Sequence, residues 1–289
     1  MERMKHLELF SGTHSVGKVC KCMGIEVVSL DRDLPSYDRK QKPKTYESDR
    51  HFQEDILTWD YKQFPNNEFT SISCSPVCLW SSQAKNSWIN SYYHKNTQKF
   101  SREPKEGYIK FTKEVKQEEM DRFMNPQVDK CFEIIEYFLQ GNPHLKWWIE
   151  NPRDSLMRHY ITEKYPQHDN NEVVDYCKYG FPYRKSTRFW NNFDFEGKTC
   201  KKDCDFMITK CGKRLHKVDL YCNTQIEIDG ELIRIDTKEL RQKYKQEIKD
   251  FKNTRHVKNC DDIGGGGCKE TRYRLPPFLV SCMLNKIYI

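Results

Sequence analysis

The chain has no run of about eighteen apolar residues that could form a membrane helix, and its opening residues MERMKHLELF lack the long apolar core of a secretory signal. Both absences point to an intracellular, soluble protein. Its first small-residue turn does not match the GxGxxG of dinucleotide folds and lacks the Lys-Ser/Thr pair that closes a phosphate loop. No Cys-x-x-Cys stands at a strand-to-helix junction, so a thiol redox protein is without its signature. No internal repeat occurs. Cysteine, by contrast, is abundant, with thirteen residues. An odd, high count in a reducing compartment reads as core thiols, metal ligands or a nucleophile rather than a disulfide framework.

With 289 residues the chain can build one substantial core and a small second lobe. Its 37% hydrophobic and 31% charged residues fit a folded soluble protein better than a disordered one. Lys and Arg number 49 against 42 acids, a formal charge of +7, which favours an anionic partner and nucleic acid first.

The first eighty residues alternate strand and helix. LELFSG reads as a strand ending in a turn, HSVGKVCKCMG as a short helix, IEVVSLDRD as a second strand and FTSISCS as a further one. VDKCFEIIEYFLQG puts Val128, Cys131, Phe132, Ile135, Phe138 and Leu139 on one helical face and stops at Gly141, before the buried strand KWWIEN. This alternation predicts an α/β fold with a doubly wound, mostly parallel sheet. Residues 84–125, polar and rich in aromatics, have no clean period and are expected to form a long loop with short helices over the site. After residue 190 the texture turns basic and Cys-rich. The expected division is residues 1–190 plus about 271–289 as one domain and about 191–270 as a small basic lobe, with GGGG at 264–267 as a flexible joint.

Phe10, Gly12 and Thr13 form the turn between the first strand and helix, where glycine lets a ligand approach backbone closely. Asp31 ends the second strand, where the ribose hydroxyls of a nucleoside cofactor would find an acceptor. Asp55 and Ile56 could meet an adenine, one by hydrogen bond and the other by apolar packing. Three such sites at successive strand ends describe a cleft for an adenosine-containing molecule that need not carry phosphates, and S-adenosylmethionine fits better than NAD or ATP.

In SCSPVCLWSSQ, Cys74 lies within a strand and reads as core, whereas Cys78 follows the strand's carboxyl end, where ligands gather in open α/β sheets. A lone cysteine is most often structural. Glu150 at the end of KWWIEN gives it company: a carboxyl leaving a Trp-rich strand can keep its proton in apolar surroundings.

LELFSGTHSVG, SLDRD, EDI, SPVC and ENPR, in that order and spacing, resemble the motifs of the cytosine C5 DNA methyltransferase family. GFPYRKSTRFWNN is similar to the basic motif of its viral and phage-type members, and RYRLPPFLV to their last segment. The chain departs from the usual pattern in having Pro76-Val77-Cys78-Leu79 for Pro-Pro-Cys-Gln and Tyr183 for the glutamine of the basic motif.

The resemblance implies a Rossmann-like methyltransferase core in which Cys78 attacks C6 of a flipped cytosine, Glu150 binds N3, and S-adenosylmethionine lies over Phe10, Gly12, Thr13, Asp31, Asp55 and Ile56. It further implies that Arg188, with Lys185 and Arg153, contacts the base or DNA phosphates, Arg188 being placed with the catalytic pair. DNA is the expected partner and a monomer the expected state. RNA of the family's transfer-RNA branch, or an inactive nucleic-acid-binding homologue, is the alternative.

Residues 198–217 hold seven Lys or Arg against two Asp. Within them Cys200, Cys204, Cys211 and His216 have a C-x3-C-x6-C-x4-H spacing able to place three thiolates and an imidazole around a structural zinc ion, with Cys222 as a spare candidate. The competing reading is reduced cysteines in a basic, DNA-facing hairpin.

Overall fold

A computed structural model describes residues 4–32, 48–181, 183–210, 213–216, 225–228, 231–234, 238–246 and 275–288. Strands β1 (Lys5–Leu9), β2 (Glu26–Leu30), β3 (Arg50–Phe52), β4 (Ser71–Cys74), β8 (Lys146–Pro152), β9 (Asn171–Asp175) and β10 (Ser186–Asn191) form one sheet in the order β3-β2-β1-β4-β8-β10-β9. All neighbouring pairs are parallel except those made by β10, which runs antiparallel to both β8 and β9. The chain winds outward from β1 to β3 and then crosses to β4 on the other side. That reversal opens a crevice at the carboxyl ends of β1 and β4, the place where such sheets hold ligands.

Both sheet faces are covered, which is why the central strands read as nearly continuous apolar runs. Successive residues of β8 serve opposite faces: Trp147 and Ile149 join the core under helix α3 (Asn125–Gly141), and Trp148 joins the core under α1 (Ser15–Cys22). The helix Pro277–Tyr288 buries Leu279, Val280, Met283 and Leu284 in that second core. Its Tyr288 hydroxyl reaches Ser71 Oγ at 2.5 Å and Thr70 Oγ1 at 3.0 Å. Among the described residues, no helix is long and apolar enough to cross a membrane.

Residues 84–125 hold the expected short helices, among them α2 (Lys113–Glu119), and correct the rest of the sequence reading. Between the helices lies a three-stranded antiparallel sheet, β5 (Tyr92–His94) between β6 (Lys99–Ser101) and β7 (Ile109–Lys110). Strands of two or three residues are too short to show a period of two. Aromatic packing holds them: Trp80, Tyr93, Phe100 and Phe111 meet with ring centroids 4.9–6.3 Å apart. Because Trp80 lies just past Cys78, this small sheet anchors the loop that carries the thiol.

Beyond β10 the described residues include the hairpins β11 (Met207–Lys210)/β12 (Lys213–His216) and β13 (Gln225–Ile228)/β14 (Glu231–Arg234). The glycine run at 264–267, Cys211 and Cys222 lie outside the described residues.

Candidate active site

The turn after β1 is built from left-handed backbone at Phe10 (φ 58°), Gly12 (φ 43°) and His14 (φ 52°). It is tied to the neighbouring strand by Ser11 N–H to the Leu30 carbonyl (3.0 Å) and Gly12 N–H to Asp31 Oδ2 (2.8 Å). Helix α1 starts at His14 without a side-chain cap of its own. Glu8, buried within β1, does that work: its two carboxylate oxygens accept Val16 N–H and Gly17 N–H, each at 3.1 Å. In dinucleotide and phosphate-loop folds these first-turn amides receive an anion. Here a carboxylate of the chain already occupies them, which disfavours a cofactor phosphate and suits an adenosine ligand without one.

Asp31 N–H bonds the Phe52 carbonyl (3.1 Å), so β1, β2 and β3 end side by side around Phe10, Gly12, Thr13 and Asp31. Thr13 Oγ1 lies 2.7 Å from Ser15 Oγ. Asp55 caps the turn after β3, its Oδ1 accepting Leu57 N–H at 3.0 Å, and Ile56 is buried in the core beneath it.

Cys74 is fully buried beside Cys131, a core thiol. Cys78 is half-buried, four residues farther along, where β4 has ended beside β8. One buried hydrogen bond fastens the thiol loop to the Glu150 strand: Asn151 Nδ2 donates to the Pro76 carbonyl at 3.0 Å. The Ser75 side chain lies near the Glu150 carboxyl.

Cys78 feels the charge of Glu150, and both feel Lys185. Burial pushes the Cys78 thiol up, Lys185 opposes that, and Glu150 adds to it. Burial likewise raises the Glu150 carboxyl, with Lys185 and Ser75 pulling the other way. Glu150 Oε2 is buried with no hydrogen-bond partner among the described residues, so a donor has to come from a ligand or water. Lys185 Nζ sits 4.8 Å from the centre of the Tyr176 ring and 3.4 Å from its hydroxyl.

Arg188 is not brought to this group, which corrects its placement with the catalytic pair. In the β8/β10 ladder Arg188 stands opposite Asn151 and Phe189 opposite Glu150, so strand alternation turns Arg188 to the other face of the sheet. There it bonds Asn171 Oδ1 and the Arg153 carbonyl. Arg153 makes a two-pronged pair with Asp154, at 3.0 and 2.8 Å. The cation beside the thiol is Lys185.

A second cluster joins the turn after β9 to the chain beyond β10. One ligand atom each of Cys177, Cys200, Cys204 and His216 lies within 4.8 Å of the other three. Cys177, from the turn after β9, is the thiol that the sequence spacing missed, because it stands outside the Cys-rich stretch. Glu8 and Asn151 were missed too. An acid inside the apolar run LEL and an amide directly after Glu150 were the signals available for them.

The chain is 33% identical over 210 residues to a probable DNA (cytosine-5)-methyltransferase of Frog virus 3 (isolate Goorha), a match covering 71% of this chain and 79% of the relative. No protein-family model matches. Among solved structures it is similar to the Entamoeba histolytica methyltransferase EhMeth, at 10% identity with a TM-score of 0.47, over 100% of this chain and 98% of that one. It is similar also to the Dnmt2 methyltransferase of S. pombe, at 14% identity with a TM-score of 0.37, over 70% of this chain and 53% of that one.

Proposed function

The chain belongs to the cytosine C5 methyltransferase family, and from that premise we propose that it transfers the methyl group of S-adenosylmethionine to C5 of cytosine in DNA. The observation that carries this reading is that Cys78, Glu150 and Lys185 share one electrostatic neighbourhood at the sheet's ligand-binding edge. The DNA substrate rests on the viral relative's description and the net charge of +7.

Cytosine C6 is a poor electrophile until N3 is protonated or strongly hydrogen-bonded. Glu150, whose carboxyl is held above its ordinary range by burial, keeps the proton that N3 needs. Cys78 gives up its proton to solvent water and its sulfur adds to C6 as N3 takes the proton of Glu150, Lys185 favouring the thiolate at that moment. Electron density then builds at C5.

S-adenosylmethionine, when bound, would supply an electrophilic methyl to C5 and leave as a neutral thioether; the turn Phe10 to Thr13, with Asp31 and Asp55, would hold its nucleoside. Loss of the C5 proton to a base and elimination of the Cys78 thiolate restore the aromatic ring and free the enzyme. A target inside a duplex has to be unstacked first, and Arg153 and Arg188, on the opposite face from Glu150, are assigned to the nucleic-acid backbone.

Transfer of labelled methyl to DNA, with RNA offered in parallel, tests the reading. DNA should be labelled by the unaltered chain and not by Cys78→Ser, while S-adenosylmethionine binding stays within about twofold. Labelling of RNA alone would overturn the DNA assignment, and turnover by Cys78→Ser would overturn the nucleophile.

A further inference from the structure

We propose that Cys177, Cys200, Cys204 and His216 bind one zinc ion that clamps the basic lobe to the catalytic sheet. The four ligand atoms come from three separate segments: the turn after β9, the strap between β10 and β11, and the end of β12. Sequence proximity therefore does not explain their meeting.

The geometry fits zinc. Bonds of about 2.3 Å to sulfur and about 2.0 Å to nitrogen put tetrahedral ligand atoms roughly 3.5–3.8 Å apart. Cys200 Sγ and His216 Nε2 are 3.5 Å apart, and all four atoms lie within 4.8 Å of one another. The chemistry fits as well, since three thiols and one imidazole are a structural zinc set and leave no open position for substrate.

The bland alternative is a small thiol core. Cys177, Cys200 and Cys204 are all buried, but among the described residues the apolar side chains packed against them are Phe206 and Met207. Two partly buried apolar side chains supply little hydrophobic reason to gather three cysteines and a histidine. Binding releases the three thiol protons, leaving a site of net charge −1. Lys178 acts electrostatically on Cys200 and Cys204, and Arg184 lies close to His216, so cations are in place to balance it.

The surroundings show what the ion would hold. The Asp175 carboxylate, fully buried at the end of β9, accepts Cys200 N–H at 2.7 Å and Arg184 Nε–H at 3.1 Å, and it also bonds the Ser186 hydroxyl. Lys198 accepts Asp175 N–H at 2.9 Å and donates its own N–H to the Tyr179 hydroxyl at 3.0 Å. The strap with Cys200 and Cys204 is thus already laced to β9. A metal bond to His216 would add the β11/β12 hairpin to the same anchor, whose Asp175 and Cys177 flank Tyr176, the ring against which Lys185 packs. This inference does not depend on the methyltransfer reading.

The test uses the full chain, prepared with zinc under reducing conditions. Metal analysis should find one zinc per chain, retained through dialysis against a weak chelator. Cys177→Ser should retain less than a tenth of that, while Cys78→Ser and Cys211→Ser should keep it. Cobalt exchanged into the site should show tetrahedral ligand-field bands with thiolate charge transfer. If Cys177→Ser does not fold, alkylation of the unaltered chain still decides: zinc should protect Cys177, Cys200 and Cys204 together while Cys22, which is exposed, reacts. Less than a tenth of an equivalent of zinc in the reconstituted chain overturns the proposal. So does loss of zinc in Cys211→Ser with retention in Cys177→Ser, or alkylation of Cys177 unaffected by zinc.

Discussion

Asn151 Nδ2 and the Pro76 carbonyl are 3.0 Å apart in a buried hydrogen bond that fastens the thiol loop to the strand presenting Glu150. Val77 is 49% and Leu79 41% exposed, so the residues flanking Cys78 are held by this bond on one side and by the buried Trp80 and the Ser82 N–H bond to the Cys78 carbonyl (2.9 Å) on the other. Replacing Asn151 by Ala strands a buried carbonyl, which costs about 1–3 kcal/mol. It also frees Cys78 to drift from Glu150 and from the base it is proposed to attack. Urea unfolding should show that loss, and methyl transfer should fall at least about tenfold with S-adenosylmethionine affinity unchanged. Undiminished transfer at full substrate would show that the bond does not position the thiol.

Glu150→Gln should separate stability from activity. In the folded chain the Glu150 carboxyl titrates above its ordinary range, burial being the main cause. A raised folded value stabilises the fold below the unfolded carboxyl's titration, and that contribution is lost as pH rises through the folded value. Above it, the fold has to bury an anion. The glutamine variant carries no such cost, so it should melt higher than the unaltered chain at pH 8, with the difference shrinking as pH falls into the carboxylate range. Methyl transfer should drop by about a hundredfold or more, because the amide has no proton to give. A variant that melts lower at pH 8 would contradict the assigned cause.

Lys185 can be weighed by the titration of the thiol it faces. Its positive charge opposes the upward push of burial on Cys78. Lys185→Gln should therefore move the alkylation midpoint of Cys78 to higher pH, and Lys185→Arg should leave it near the original value. If Arg188→Gln moves that midpoint and Lys185→Gln does not, the assignment of cations to the two sheet faces is reversed.

The contrast between Lys185 and Arg188 shows what one chain of letters can convey. Strand existence was readable because apolar, β-branched runs such as SISC and KWWIE stood between turn residues, and Cys78 and Glu150 could be singled out as candidates from their places at strand ends. Which face a residue takes depends on the β8/β10 register, set by contacts between residues some forty positions apart. Lys185, in the turn before β10, reaches the pair through that register and Arg188 is carried away by it. Cys177 was hidden for a related reason: its partners are assembled by the fold and not by spacing. The small sheet within 84–125 was illegible because its strands are shorter than one readable period and its stability lies in aromatic packing.

His6 supplies a test of the fold that leaves the chemistry untouched. Its ring is fully buried on β1, with Nδ1 2.5 Å from Ser71 Oγ and Nε2 2.8 Å from Ser73 Oγ, and it stacks on Trp148 at 5.2 Å. Burial lowers its pKa to about 3, against 6.5 for a free histidine. The unfolded chain therefore takes up a proton below about pH 6.5 that the folded chain refuses. Stability is full above that pH and falls as pH drops toward 3, by about 1.4 kcal/mol per unit for this one ring. Between pH 6.5 and 5 the loss should be about 2 kcal/mol from His6, with His51, lowered to about 4, adding in the same direction. Ser71 Oγ bonds both His6 and the Tyr288 hydroxyl, so a protonated ring would also disturb the anchor of the helix Pro277–Tyr288. Urea midpoints at the two pH values should show a smaller difference in His6→Gln than in the unaltered chain, whatever that variant costs at neutral pH. Equal differences in the two proteins would mean that the ring is already protonated in the fold.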